Sequence, residues 1–89
     1  MPSLSMFYGI IIYMYYMDNN KHHKPHIHAI YQEDEVIIEI PNGDILEGKI
    51  PKAKMKLLSA WVELHKDELV ADWKLAIEGQ KPYKIEPLR

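Results

Sequence analysis

The stretch Glu35-Val36-Ile37-Ile38-Glu39-Ile40-Pro41-Asn42-Gly43-Asp44-Ile45-Leu46-Glu47-Gly48-Lys49-Ile50 decides the fold. Val36, Ile38 and Ile40 alternate with Glu35, Ile37 and Glu39, the period-two pattern of a strand with one face toward a core. Asn42-Gly43 then reads as a type I′ hairpin turn, because that turn needs positive φ at both central residues. Ile45 to Ile50 becomes the returning strand. Connections this short cannot carry a parallel crossover, so the sheet is antiparallel.

Toward the N-terminus, His26 to Tyr31 reads as a further strand. Before it, Phe7 to Met17 is an almost unbroken apolar run ending in the turn-forming residues Asp18-Asn19-Asn20. Read as one strand, this run is apolar on both faces, so it is either covered on both sides or part of an interface. That points to a protein partner or self-association. Eleven or so residues are too few for a membrane-spanning helix, and neither the basic n-region nor the small-residue cleavage site of a secretory signal accompanies them. No membrane association is expected.

Toward the C-terminus the period becomes helical. Pro51 suits a first helical turn, and from Ala53 to Glu78 one stripe holds Leu58, Val62, His65, Leu69, Trp73 and Ala76, with Leu57, Trp61 and Leu64 beside it. An unbroken helix here would be about 39 Å long, more than the sheet can cover. A kink or break is expected near His65-Lys66-Asp67, with Asp67 as its cap. Gly79 ends the helix. The expected fold class is α+β: a four-stranded, mainly antiparallel sheet followed by one long kinked helix or two consecutive helices. Residues 1–89 are expected to form a single domain, with a radius of gyration of roughly 12 Å.

Of the 89 residues, 47% are hydrophobic, enough for a core, and the formal charge of −2 argues against a bulk electrostatic grip on nucleic acid. The absence of cysteine rules out disulfides and thiolate metal sites, and it fits a reducing cytoplasm.

Phe7-Tyr8-Gly9-Ile10, Met14-Tyr15 and Pro25-His26-Ile27-His28-Ala29 resemble a family of small bacterial proteins known only as domain of unknown function number four-one-six-zero. Trp61 to Leu69, Trp73 and the ending Ile85-Glu86-Pro87-Leu88 are similar to it as well. Two positions depart from the family pattern: Met6 stands where a basic residue is common, and Lys24 precedes Pro25 where a second proline is common. Members resemble components of toxin–antitoxin-type pairs, often encoded beside another small protein. The resemblance therefore implies an interaction module with a protein partner, and leaves nucleic-acid engagement open.

Four of the five histidines lie between His22 and His28. On a strand, His26 and His28 share a face about 7 Å apart, while Ile27 and Ala29 point the other way. Three readings compete. The imidazoles can hold a metal, zinc being the natural choice, with a third ligand from His22, His23, His65 or Glu68. They can act as an acid–base pair that cleaves RNA, with Lys21 and Lys24 at the phosphate. Or they are solvated polar residues. His65 and Glu68 sit three apart on one helix face and can join either chemistry, although His65 on an apolar stripe is more often a half-buried histidine paired to a carboxylate. Trp61 and Trp73 have core spacing. Tyr13, Tyr15 and Tyr16 can stack on bases or simply rim an apolar strand.

Overall fold

A computed structural model describes residues 3–15 and 24–89. Its strands are β1 (Ser3–Phe7), β2 (Ile10–Tyr13), β3 (His26–Tyr31), β4 (Asp34–Glu39) and β5 (Ile45–Gly48), followed by helices α1 (Lys52–Leu64) and α2 (Lys66–Ile77). The strands form one antiparallel sheet in the order β1-β2-β3-β4-β5. The α+β class and the antiparallel sheet stand as expected. The sheet has five strands, however, not four.

The extra strand comes from Tyr8-Gly9. Phe7 pairs with Ile10, so these two residues are a complete hairpin turn. Both have positive φ, 50° at Tyr8 and 81° at Gly9, the requirement of a type I′ turn. The apolar run therefore folds back on itself instead of continuing as one strand. The turn at 42–43 is corrected in the opposite sense. Gly43 has positive φ but Asn42 does not, and the connection closes through longer-range bonds, Glu39 N–H to Asp44 O (2.7 Å) and Gly43 N–H to Glu39 O (2.8 Å). The side chain of Asn42 accepts from the Asp44 N–H, an Asx turn that competes with a two-residue hairpin. The turn expected at Asp18-Asn19-Asn20 lies outside the described residues.

Direct cross-strand partners share a face. Phe7, Ile10, Ile12, Ile27, Ala29, Val36 and Ile38 lie on the inner face and are buried. Against them pack Leu58, Trp61 and Val62 of α1 and Leu69, Trp73 and Ala76 of α2, so sheet and helices share one hydrophobic cluster. Trp61 has no exposed surface, and its ring centre lies 5.2 Å from that of Phe7. Gly48 in β5 has φ +79°, and a Cβ there would sit 2.2 Å from the Glu35 carbonyl oxygen. No side chain fits that approach.

Helical backbone geometry breaks at His65, whose φ and ψ are −118° and 21°, although its own i→i−4 bonds persist. Its N–H donates to Trp61 O, and its carbonyl accepts from Leu69 N–H. Two consecutive helices result, the second of the two arrangements expected. Asp67 is not the cap: it lies in the first turn of α2, where a carboxylate favours the positive end of the helix dipole. Leu64 faces solvent, 68% exposed, contrary to its expected place beside the core stripe.

The tail after Gly79 straps the molecule together. Ile85 N–H donates to Leu4 O (2.9 Å), the Trp61 indole N–H donates to Glu86 O (2.8 Å), and Tyr83 N–H donates to Asp72 Oδ1 (2.9 Å). Asp72 is 3% exposed, and its Oδ2 has no hydrogen-bond partner. Burial pushes its carboxyl above the usual carboxylate range; the Tyr83 N–H pulls the other way, and nearby Glu68 pushes it up further.

A carboxyl raised in the fold binds its proton more tightly there than in the unfolded chain. Its contribution to stability is greatest below the unfolded value and falls as pH rises through the raised one. Asp72→Asn keeps an acceptor for Tyr83 and removes the buried charge. It is expected to raise stability at pH 7 by on the order of 1 kcal/mol, with the gain fading near pH 3.5. Urea unfolding at both pH values measures this, and a loss at both would contradict it.

Candidate functional site

The second face of the sheet carries the histidines. In β3 the inward residues are Ile27 and Ala29, which leaves His26, His28 and Ile30 on the outer face. Across the outer face, Tyr13, His28, Ile37 and Glu47 form one row, and Met6, Ile11, Ile30 and Glu35 form the next. The face is thus apolar and aromatic over β1 to β3, while over β4 and β5 Glu35, Glu39 and Glu47 surround the buried Ile37.

His26 opens β3 and is 2% exposed. Its ring centre lies 5.0 Å from that of Trp73, which α2 brings against it, and 5.4 Å from that of His28. Tyr15 meets His28 edge-on at 4.4 Å, and Tyr13 stacks with Tyr15 at 6.1 Å. The result is a continuous chain of rings running from Tyr13 through Tyr15, His28 and His26 to Trp73.

Hydrogen bonds set the tautomers. His26 Nδ1 lies 2.7 Å from Lys24 O. A carbonyl only accepts, so Nδ1 carries the proton. His28 Nδ1 lies 2.9 Å from Glu35 Oε2, and an ionised carboxylate likewise only accepts. In the neutral ring of each histidine the lone pair is therefore on Nε2. The tight turn at Gln32-Glu33, fixed by the Tyr31–Asp34 pairing, makes Glu35 a diagonal neighbour of His28. Sequence reasoning missed this glutamate, although a two-residue turn after Tyr31 would have placed it. The contact between Trp73 and His26 had no comparable signal, because it depends on where α2 crosses the sheet.

The other site residues fall elsewhere. His65 is half-buried, with Nδ1 2.6 Å from Glu68 Oε1 and its ring 5.4 Å from that of Trp61. The two form a pair of their own at the junction of the helices. Lys24 is exposed, with Nζ 3.8 Å from Glu39 Oε1. Lys21, His22, His23 and Tyr16 lie outside the described residues. Among the described residues, no three of His, Cys, Asp and Glu are placed to hold a metal together, and no cavity is enclosed. No helix is long and apolar enough to cross a membrane.

The family model for the domain of unknown function DUF4160 matches residues 9–74, from the first hairpin to the middle of α2. The chain belongs to this family. The match takes in the whole ring chain of the outer face, whereas β1 and the tail strap lie outside it. No curated protein and no solved structure matches the chain.

The tautomers are directly observable. In long-range proton–nitrogen correlation spectra, the neutral rings of His26 and His28 are expected to carry their proton on Nδ1. A proton on Nε2 of either ring would contradict the bonds to Lys24 O and Glu35.

Proposed function

We propose that this DUF4160 protein is an interaction module of a toxin–antitoxin-type pair and that the outer face of its sheet docks a protein partner. The observation that carries the reading is the chemistry of that face. Met6 is 62% exposed, and Ile11, Ile30, Tyr13 and Tyr15 are half-buried beside it. Contiguous apolar surface of this kind, rimmed by polar groups, marks a site of association.

The rim indicates the partner. Glu35, Glu39 and Glu47 lie on the β4 and β5 side of the same face, so a complementary surface presents apolar side chains bordered by lysine or arginine. A nucleic acid fits less well. Its phosphates would meet these carboxylates, and Lys24 is already engaged with Glu39. The paired-gene arrangement implied by the family supplies the partner's source: the small protein encoded beside this one.

Co-expression with that neighbour tests the reading. A complex is expected to form, and Met6→Glu and Ile30→Glu are each expected to weaken it at least about 30-fold, the loss typical of a central interface residue, without changing the circular dichroism of the free protein. Failure of the complex to form, or a complex indifferent to both substitutions, would refute the reading. Light scattering on the protein alone separates a hetero-pair from self-association through the same face.

A further inference from the structure

We propose that Tyr8 is the aromatic anchor of the docking face, held out at the tip of the first hairpin to enter an apolar cleft on the protein partner. The inference rests on the docking reading above and names the residue that decides its specificity.

The backbone at two neighbouring turns argues for it. Among the described residues, Tyr8 and Gln32 alone combine a side chain with positive φ, 50° and 55°. Glycine and asparagine reach that region at little cost, whereas a bulky side chain there is strained. All four glycines of the chain occupy the region, as expected where the backbone alone decides the residue. At position 8 a tyrosine stands where glycine or asparagine would fold more easily. Its ring is not there to fill the core, since Tyr8 is 54% exposed. Strain of this kind at an exposed side chain points to a role in recognition.

The tip is fastened from beneath. The Lys54 ammonium donates to the Tyr8 carbonyl oxygen at 2.9 Å and lies 4.9 Å from the centre of the Tyr31 ring. Tyr31 also packs against Gly9, where a Cβ would lie 3.1 Å from the ring. These contacts hold the backbone of the turn and leave the Tyr8 side chain outside them. A tyrosine on a fixed backbone offers a large contact area and loses little freedom on binding, which suits an anchor.

Its position ties it to the docking face. Met6, two residues earlier, is 62% exposed on the outer side of β1, so apolar surface continues from that face to the hairpin tip. The tip carrying Gln32 lies beside it, because Ile10 after the first turn pairs with Tyr31 before the second. The exposed Gln32 amide supplies a donor and an acceptor next to the ring. The matching partner surface is an apolar cleft that takes the ring, edged by polar groups for the phenol and the amide.

The test uses the full chain and the co-expressed neighbour. Tyr8→Asn is expected to raise the thermal midpoint of the free protein by about 4 to 8 °C as the strain is relieved. The same variant is expected to weaken the complex at least about 30-fold, while Tyr8→Phe, which keeps the ring, retains most of the affinity. Gained stability with lost binding is the mark of a side chain held for recognition. Three results would each overturn the anchor and leave the docking face standing: a midpoint that does not rise in Tyr8→Asn, a complex that tolerates Tyr8→Asn while Met6→Glu weakens it, or a loss in Tyr8→Phe as large as in Tyr8→Asn. A complex that fails to form, or is indifferent to Met6→Glu and Ile30→Glu, would overturn both.

Discussion

The register of β3 is the constraint on which the rest of the structure depends. Pairing of Ile12 with Ala29 and of Ile27 with Ile38 turns two small or branched apolar side chains into the core. By the geometry of a pleated strand, the same pairing turns His26, His28 and Ile30 outward. A slip of one residue would reverse every one of these positions, placing imidazoles on the inner face where Ile27 and Ala29 now sit and turning those apolar side chains out of the core. Neighbours on both sides hold the register, β2 through the tight Tyr8-Gly9 hairpin one strand away and β4 through the two-residue turn at Gln32-Glu33.

The helices and the tail complete what the sheet begins. Trp61 fills the inner face against Phe7 and fixes the tail at Glu86 through its indole N–H, while Asp72 fixes the same tail at Tyr83. These contacts all serve the inner face. The outer face is left with apolar rings and isoleucines on one side and glutamates around Ile37 on the other, and its apolar part costs free energy where it is exposed unless something covers it. Trp73 joins the two halves of the molecule: it belongs to the core cluster, yet it also meets His26.

Much of this was legible in the residues. The bounds of β3, the inward course of Ile27 and Ala29, the helix break beside Lys66 and the stop at Gly79 all follow from period, length and local chemistry. The first hairpin did not, because Tyr8 takes a positive φ that an aromatic residue seldom adopts, inside a run whose composition reads as one strand. Gly9 was the available signal, a glycine interrupting a strand pattern. Asn42-Gly43 failed in the other direction: the side chain of Asn42 closed an Asx turn, and the loop lengthened around it. At the site, periodicity alone places His26 and His28 on one face. The bond to Glu35 needed the register of β4, and the contact with Trp73 needed the tertiary position of α2. Grouping His65 and Glu68 with the strand histidines followed helix spacing correctly, but spacing within a helix says nothing of how far that helix lies from a strand.

Cross-strand nuclear Overhauser contacts of β3 test the register most directly. The structure requires His28 to lie opposite Tyr13 on one side and Ile37 on the other, with Ala29 opposite Ile12 and Val36. Contacts at those pairs would establish the face on which the histidines stand. Contacts displaced by one residue would place His26 and His28 on the inner face and contradict the docking face.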